Sequence, residues 1–270
     1  MLIRIIGMVI IMADRRNKEE LKKKDNLMNE QKFMIGPHLS FAGAEAYKLL
    51  RTNIQFSFSE DTSTEGKVIG VTSSIPGEGK SMTILNLAYT FAESNKRVLL
   101  IEGDMRLPTL ANRLRLKPTP GLSNLLVGLN SVNDAIQHFS TSKEGSQPVT
   151  VDVIVSGTIP PNPSELLGSS RLESLLNILK KNYDYIFLDQ PPITAVTDAL
   201  ITSNKTDGII VVVRNNHANR SGVAETMRQL KLVDAHVLGF VYNGASDDSR
   251  KYYKKGYYKK KGYYYYKKSE

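Results

Sequence analysis

The residues with the clearest chemical purpose lie at 74–81, where the chain reads Ser-Ile-Pro-Gly-Glu-Gly-Lys-Ser. An apolar run precedes this segment and an apolar-periodic run follows it, which predicts a strand, a glycine-rich turn and a helix. Gly77 and Gly79 let the backbone curl around phosphate oxygens without a Cβ clash. Lys80 supplies a charge for the β- and γ-phosphates, and Ser81 supplies a hydroxyl for Mg²⁺. The pattern predicts a P-loop, with an ordinary strand–helix turn as the alternative.

Carboxylate side chains follow two further apolar runs, at 98–101 and 185–188. The first run leads into Glu102 and Asp104, and the second leads into Asp189. Ligands of open α/β sheets bind at the carboxyl ends of the strands, so we expect these groups to share a crevice with the P-loop. Hard oxygen ligands suit Mg²⁺, which Asp189 would hold directly or through water. The alternative for Asp189 is a turn-capping residue before two prolines.

The acidic pair of Glu102 and Asp104 has two interpretations. Their i, i+2 spacing places both on one side of an extended strand. A kinase that acts on a hydroxyl can use one carboxylate as a proton acceptor and another on Mg²⁺. A solvated turn around Gly103 explains the same spacing, and the residues alone leave both interpretations open.

Two polar residues further along also keep two interpretations each. Asn243 follows the apolar run at 237–242, where it either contacts an adenine or belongs to a turn. Asp198 is either a ligand or a helix cap. The sequence does not decide between them.

The composition limits the class of protein. Its 270 residues, 41% of them hydrophobic, suffice for one α/β domain with extensions. The chain has no cysteine, which excludes a disulfide framework and an iron–sulfur carrier and fits a reducing cytoplasm. No apolar stretch is long enough to span a bilayer. The mostly apolar residues 1–12 suggest a weak membrane contact, a start-site artefact or a disordered arm; we favour the last two, and expect the charge-rich residues 15–32 to be disordered.

Strand and helix patterns alternate through the middle of the chain. Apolar runs predict strands near 68–72, 98–101, 151–155, 185–188, 208–213 and 237–242. Periodic runs predict helices near 42–56, 81–93, 164–181 and 221–232. Strands that do not alternate are buried on both faces, so we predict an α/β fold in which helices cover both faces of a mainly parallel sheet. We expect a P-loop domain at 41–245, a disordered or mis-annotated arm at 1–40 and a disordered, tyrosine-rich tail at 246–270.

The C-terminal tail is the second segment whose composition indicates a chemical role. From Arg250 to Glu270 it has eight lysines and one arginine against one glutamate, which is +8 of the chain's net charge of +9. The rest of the chain is almost neutral, which argues against a nucleic-acid-binding face on the fold. Eight of the thirteen tyrosines lie in this tail: Tyr252, Tyr253, Tyr257, Tyr258, Tyr263, Tyr264, Tyr265 and Tyr266. The tail could bind RNA by stacking and charge, contact acidic lipid, or accept phosphate on its tyrosines, and beside an ATP site we favour phosphorylation.

Taken together, these motifs resemble a known family, the bacterial tyrosine kinases of capsule and exopolysaccharide operons in their cytoplasmic Gram-positive form. Residues 76–81 are similar to its Walker A loop, 101–106 to its Walker A′ motif and 187–192 to its Walker B motif. The segment 157–167 and the tyrosine-rich tail are also typical of it. The resemblance covers about 41–270 and implies a fold similar to that of the septum-site and partition ATPases.

The resemblance implies an activity and a set of partners. The activity is that of an ATP- and Mg²⁺-dependent autokinase, which phosphorylates tail tyrosines in trans and regulates capsule or exopolysaccharide polymerisation and export. The partners are further copies of the chain in a ring, a membrane-embedded adaptor of the polysaccharide co-polymerase type and a cognate phosphotyrosine phosphatase, with no nucleic acid. The expected location is the cytoplasm, at the inner face of the membrane through the adaptor.

The resemblance also implies roles for individual residues. Catalytic roles fall to Lys80, Glu102, Asp104 and Asp189, with Glu102 at the position of the family's base aspartate. Nucleotide-binding roles fall to Pro76, Gly77, Glu78, Gly79, Lys80, Ser81 and Met82, to which we add Asn243. The metal ligands are Ser81, Asp104 and Asp189, and the phosphoacceptors are the eight tail tyrosines. The ring contact is formed by Glu45, Lys48 and Arg51.

Several positions depart from the family's pattern. Glu102 replaces Asp and is one methylene longer, and Lys48 replaces an Arg, which removes a fixed fork of donors. Gln190 replaces a usual Thr, and Met82 stands where a small hydroxyl residue is common. Ser74 occupies the position of the first P-loop glycine.

Two rival functions remain to be tested. A partition-type ATPase without kinase activity would have its signature lysine at Ile75, where none is present. A non-enzymatic adaptor, modified by another kinase, would not need Lys80, Ser81 and Asp189 together. The sequence therefore favours the kinase.

Overall fold

The computed structural model describes residues 9–12, 36–60, 63–142 and 145–245. In this part of the chain, eight strands form one sheet. The strands are β1 (Val9–Met12), β2 (Lys67–Ser73), β3 (Val98–Glu102), β4 (Gln137–Thr141), β5 (Val149–Ile154), β6 (Tyr185–Asp189), β7 (Gly208–Arg214) and β8 (Val237–Ala245). Their order is β1-β8-β7-β2-β6-β3-β5-β4, and every neighbouring pair is parallel except the antiparallel pair of β4 and β5.

Helices cover both faces of this sheet. They are α1 (Phe41–Ser57), α2 (Lys80–Ala92), α3 (Leu110–Leu114), α4 (Leu122–Leu126), α5 (Val132–Ala135), α6 (Pro163–Gly168), α7 (Ser170–Leu179), α8 (Asp198–Ser203) and α9 (Arg220–Leu232). A 3₁₀ turn, Gly36–His38, precedes α1. No helix of the described residues is long and apolar enough to cross a membrane.

Alternate side chains of the central strands pack into two separate hydrophobic cores, one on each face of the sheet. On β6, Phe187 packs into the core beneath α1 and α2, whereas Ile186 and Leu188 pack into the core beneath α7. Phe91 of α2 contacts the Phe187 ring edge-on, with 5.3 Å between ring centroids. Burial on both faces explains why these strands are continuously apolar, and it confirms the predicted mainly parallel sheet.

The six predicted strands correspond to β2, β3 and β5 to β8, but two further strands were missed. The edge strand β4 alternates half-buried and exposed positions, and its sequence Gln-His-Phe-Ser-Thr has one large apolar residue. The predicted helix at 164–181 is two helices, because Ser169 has an extended backbone (φ −65°, ψ 153°) between α6 and α7. The other three predicted helices match α1, α2 and α9 to within one residue at each end.

Two segments of the expected arm at 1–40, namely β1 and the turn Gly36–His38, are part of the folded domain. β1 pairs in parallel with β8 and extends the sheet, as its β-branched sequence Val-Ile-Ile permits. Gly36 donates its N–H to Asn86 Oδ1 at 3.0 Å and lies against Tyr89, whose ring would be 2.2 Å from a Cβ at residue 36. Both segments therefore belong to the fold. The rest of the arm and the tail at 246–270 lie outside the described residues.

Candidate active site

The predicted P-loop joins β2 to α2, and two of its glycines adopt a left-handed backbone. Gly77 has φ 81° and Gly79 has φ 91°, and Gly79 is the residue before the helix begins. Both angles lie in the left-handed region that favours glycine, and a Cβ at residue 79 would also lie 2.1 Å from Asn243 Nδ2. The first hydrogen bond of α2 runs from Thr83 N to Gly79 O at 2.9 Å. The N–H groups of residues 80–82 therefore emerge at the helix N-terminus, where an anion binds most favourably.

The carboxylate of Glu78 shapes the loop from inside. It is fully buried, and its Oε2 accepts hydrogen bonds from Ser74 N at 2.7 Å and Ile75 N at 3.0 Å. Its Oε1 accepts a longer hydrogen bond from Arg214 N, at 3.3 Å. The Glu78 side chain thus holds the two ends of the loop together. Its expected nucleotide-binding role remains a prediction for its backbone, because the carboxylate already has three backbone partners.

Three side chains from later in the chain hold the outer edge of the P-loop. His217 Nε2 lies 2.8 Å from Pro76 O, and Arg214 Nη1 donates to Gly77 O at 3.0 Å. Asn243 Nδ2 donates to Glu78 O at 2.9 Å. Sequence reasoning missed Arg214 and His217, which belong to no motif. Adenine contact by Asn243 stays a prediction; its amide supports the loop.

Met82 follows Ser81 in the first turn of α2. Its side chain packs partly buried against the core beneath α1 and α2, and its Sδ lies 3.9 Å from Arg113 Nη1. This side chain is directed into the fold, so the nucleotide contact predicted for Met82 falls to its backbone N–H.

Asp189 lies at the end of β6, between the P-loop strand and β3. It is 2% exposed, and its Oδ1 has no hydrogen-bond partner among the described residues. Burial raises the pKa of Asp189 to about 6, although the Lys80 charge and a hydrogen bond from Ser81 lower it, and Glu102 and Asp104 raise it further. The structure thus brings the three carboxylates predicted at the ends of these strands close to Lys80 and Ser81 of the P-loop.

Glu102 ends β3, directly beside Asp189 in the sheet register. Its side chain is 1% exposed, and both carboxylate oxygens accept backbone hydrogen bonds. Oε1 accepts from Thr109 N and from Leu110 N, the latter at 2.7 Å, and Oε2 accepts from Ser156 N at 3.0 Å. Burial raises the pKa of Glu102, and these three hydrogen bonds oppose that rise. The solvated turn considered for this segment is therefore wrong for Glu102.

Asp104 differs from Glu102 in its surroundings. It is only half-buried, and its Oδ1 accepts a hydrogen bond from Leu107 N at 3.1 Å. The two carboxylates of the predicted pair therefore have separate environments. Asp104 is the more accessible of the two to a ligand.

Arg106, in the same loop, forms an ion pair that sequence reasoning missed. Its Nε donates to Asp198 Oδ2 at 2.8 Å, and its Nη2 donates to Asp198 Oδ1 at 3.0 Å and Ser164 Oγ at 2.9 Å. Asp198 is fully buried and is the first residue of α8. Asp198 is therefore not the helix cap considered for it, because Thr197 is the residue before α8. A role as a ligand stays a prediction. The pair joins the loop after β3 to α6 and α8.

The residues at this site fit Mg²⁺ bound together with a nucleotide. Within the described residues, no group of three or more His, Cys, Asp or Glu side chains could hold a metal by itself. Mg²⁺ normally keeps several waters and takes one or two carboxylates plus substrate phosphates. Asp189 provides a buried oxygen to which no described residue hydrogen-bonds, and Ser81 provides a hydroxyl at the helix N-terminus. This donor set matches a metal whose remaining ligands are phosphates and water.

The residues predicted to form a ring contact are only partly on the surface. Glu45 and Lys48 form an exposed ion pair on α1, with 2.9 Å between Oε1 and Nζ. Arg51 is turned toward α2 and donates from Nη1 to Thr90 O at 2.8 Å. Thr90 lies in the last turn of α2, where carbonyl groups lack helical partners. Within this chain Arg51 therefore stabilises a helix end.

Comparison with known proteins decides the family. The profile of the AAA domain family matches residues 66–239. Tyrosine-protein kinase YwqD of Bacillus subtilis (strain 168) is 37% identical over 201 residues, which cover 74% of this chain and 81% of that protein. This chain is an AAA-domain member of the bacterial tyrosine-protein kinases. The site described above therefore belongs to a protein-tyrosine kinase.

Solved structures agree with this assignment. The kinase domain of the Escherichia coli tyrosine kinase ETK matches the present kinase with a TM-score of 0.73 at 26% identity, covering 98% of this chain and 94% of that one. The cell division ATPase MinD of Pyrococcus furiosus matches with a TM-score of 0.55 at 25% identity, covering 67% and 74%. The fold predicted from the sequence, a P-loop domain similar to septum-site ATPases, is confirmed.

Proposed function

We propose that this tyrosine kinase binds Mg·ATP at the P-loop and phosphorylates the tyrosines of its own C-terminal tail in trans. The observation that supports this most is the oxygen of Asp189 that has no partner in the described part of the chain and is buried beside Lys80 and Ser81 at the N-terminus of α2. A buried carboxylate oxygen without a partner costs free energy unless a ligand compensates it. We infer that Mg²⁺, or a water bound to it, is that ligand.

Each site residue has a distinct part in the proposed transfer. Lys80 and the N–H groups at the start of α2 would bind and orient the phosphates of ATP. A tyrosine hydroxyl oxygen would then form a bond to the γ-phosphorus as the bond between that phosphorus and ADP breaks, with release of ADP and a proton. Ser81, Asp104 and Asp189 would hold the metal, Asp189 directly or through water. When bound, Mg²⁺ neutralises charge on the phosphate oxygens. The buried surroundings of Asp189 strengthen these electrostatic interactions, because few waters screen them.

The tail is the proposed substrate because its composition suits the site. It begins beyond β8, whose Asn243 is hydrogen-bonded to the P-loop. If fully extended, the 20 residues after Asn243, up to Tyr263, would span roughly 65 Å, which is enough to reach a neighbouring copy. Its lysines favour an acidic site loaded with nucleotide, and each phosphotyrosine adds about −1.5 to −2 charge. Phosphorylation at several tyrosines reverses the charge of the tail and favours its release.

The cellular setting is also proposed from the family resemblance. We infer a cytoplasmic kinase that forms rings and is recruited to the membrane by an adaptor of the polysaccharide co-polymerase type. A cognate phosphatase would reset the tail, and the cycle would regulate capsule or exopolysaccharide polymerisation and export. The exposed Glu45–Lys48 pair is available for the ring contact, whereas Arg51 would have to leave Thr90 to take part.

A mixing experiment tests transfer in trans. The acceptor is the full chain with Lys80→Met, and the donor is the full chain with all eight tail tyrosines changed to Phe. We expect the acceptor's tail to be phosphorylated only when donor, Mg²⁺ and ATP are all present. Each variant incubated alone is the control, and a donor that also carries Lys80→Met is the matched inactive partner.

Two outcomes would contradict the proposal. If the acceptor stays unlabelled while wild-type protein labels itself at a rate independent of concentration, then transfer occurs in cis. If the donor hydrolyses ATP and no variant ever contains phosphotyrosine, then the partition-type ATPase becomes the better description.

A further inference from the structure

Glu102 occupies the family's position for a catalytic base, yet its contacts fit a different role. We propose that Glu102 is a positioning residue that joins the loop bearing Asp104 to the segment after β5, and that it does not accept the tyrosine proton. The inference rests on the proposed function for the role of Asp104 as a metal ligand. The claim that Glu102 joins these two segments rests only on the hydrogen bonds that its carboxylate accepts from backbone N–H groups.

The hydrogen bonds of the carboxylate explain why it is not free for proton transfer. Three backbone N–H groups occupy its two oxygens, which offer about four acceptor positions in total. The side chain is also 1% exposed. The one acceptor position left lies on this buried side chain, so a tyrosine hydroxyl could reach it only if the surrounding residues moved or a bound N–H group was displaced and left unpaired, which is costly.

The loop that carries Asp104 is closed at both ends. At its start, Gly103 donates its N–H to Asp189 O at 2.8 Å, and a Cβ at residue 103 would lie 2.9 Å from that oxygen. At its end, Glu102 accepts the N–H groups of Thr109 and Leu110. Asp104 therefore lies in a short closed loop whose far end depends on Glu102.

The second oxygen of Glu102 reaches a different segment. Oε2 accepts the N–H of Ser156, just beyond the end of β5, and Ser156 O in turn accepts from Ser123 N at 2.9 Å. One side chain thus fixes the loop after β3, the start of α3 and the segment after β5 relative to one another. A carboxylate on a side chain one methylene shorter would retract by about 1.5 Å and could not keep all three bonds in place.

The length of the side chain therefore separates the two roles. Aspartate is the family's residue here, so a proton acceptor at this position tolerates Glu102→Asp, whereas a positioning residue does not. The substitution Glu102→Gln works the other way. A proton acceptor does not tolerate it, because the basic group is lost, whereas a positioning residue tolerates it better, because the side chain keeps its length and one acceptor oxygen. Glu165→Gln is a matched control, since Glu165 is exposed and its carboxylate accepts a hydrogen bond from the nearby Asn162 side chain.

Amide hydrogen exchange on the nucleotide-free full chain tests the structural half. In Glu102→Asp we expect the amides of Thr109, Leu110 and Ser156 to exchange about tenfold faster than in the wild type, with the core strands unchanged. Glu165→Gln should leave all three amides at wild-type rates. Unchanged exchange at the three amides in Glu102→Asp would overturn the proposal, whatever the activity of the protein.

Steady-state kinetics test the functional half. In Glu102→Asp we expect the apparent KM for Mg²⁺ to rise several-fold because the loop bearing Asp104 is misplaced, and in Glu102→Gln we expect a smaller rise because the side chain keeps its length and one acceptor oxygen. In both variants kcat should stay within about tenfold of wild type, because no proton acceptor is lost. General destabilisation would lower the active fraction without moving that KM. Full activity of Glu102→Asp together with a loss of about a hundredfold or more in Glu102→Gln would make Glu102 the base and refute the proposal. If the kinase never labels its tail, the exchange result still decides the positioning role.

Discussion

Replacement of Asp189 by asparagine should stabilise the nucleotide-free protein while impairing its activity. The carboxylate is 2% exposed and has a pKa of about 6 in the folded chain, against 3.8 for an unperturbed aspartate. A difference of this size corresponds to about 3 kcal/mol at a pH above both values. An asparagine side chain has nearly the same shape as aspartate and carries no charge.

The sign of the effect follows from proton binding. Because burial raises the pKa of Asp189, the folded protein keeps a proton that the unfolded chain releases as the pH rises from about 4 to 6. The favourable contribution of this protonation is complete below about pH 4 and is lost as the pH passes about 6. The wild type and Asp189→Asn should therefore have similar stability near pH 4, and should differ by up to about 3 kcal/mol at about pH 7.5.

Urea unfolding in EDTA, followed by far-UV circular dichroism because the chain lacks tryptophan, measures this difference. With an m-value of roughly 2 kcal/mol/M, we expect the midpoint at about pH 7.5 to rise by about 1 to 1.5 M in the variant. Asp207→Asn is the control and should be destabilising, because Asp207 accepts Val68 N at 2.7 Å and pairs with Lys180 Nζ at 2.8 Å. An Asp189→Asn variant no more stable than wild type at that pH would refute the reasoning.

Two further substitutions test contacts of the fold, one beside the site and one at the opposite edge of the sheet. Arg106→Ala should cost about 2 to 3 kcal/mol of unfolding free energy, because it leaves the buried Asp198 carboxylate without its cation; the Arg106 side chain is 40% exposed, so the cost stays below that of a fully buried pair. Additive effects of Arg106→Ala and Asp198→Asn in a double-mutant cycle would contradict this coupling. Gly66→Ala should cost about 1 to 3 kcal/mol, because its Cβ would lie 1.9 Å from Tyr183 O. Gly168→Ala, whose Cβ would have no neighbour closer than 3.5 Å, is the control, and equal unfolding midpoints for the two alanine variants would exclude this cause.

The chemical centre could be predicted from the sequence because its geometry follows from strand direction. The carboxyl ends of parallel strands meet at one edge, and the register does place Asp189 opposite both Val71 and Glu102. A P-loop needs glycine, lysine and a hydroxyl at fixed spacing, so these residues identify it without any tertiary information. The same holds for the sheet, whose continuous apolar runs indicate burial on both faces.

The supports of the site could not be predicted, because they depend on contacts between distant parts of the chain. His217 and Arg214 reach the P-loop from 141 and 137 residues away, and Arg106 meets Asp198 across 92 residues. Nothing in the local pattern around these residues distinguishes them from solvated side chains. The role of Glu102 likewise depends on the path of the chain at Ser156, which no spacing rule gives.

The most direct test of the central claim is phosphorylation-site mapping by mass spectrometry on the full-length protein incubated with Mg·ATP. We predict phosphate on several of the tyrosines between Tyr252 and Tyr266 in the wild type, and none there in Lys80→Met. The variant with all eight tail tyrosines changed to Phe should contain no phosphotyrosine in the tail while it still binds ATP. Lys80-dependent ATP hydrolysis with no phosphotyrosine in the wild-type tail, at concentrations high enough for copies to meet, would contradict the account.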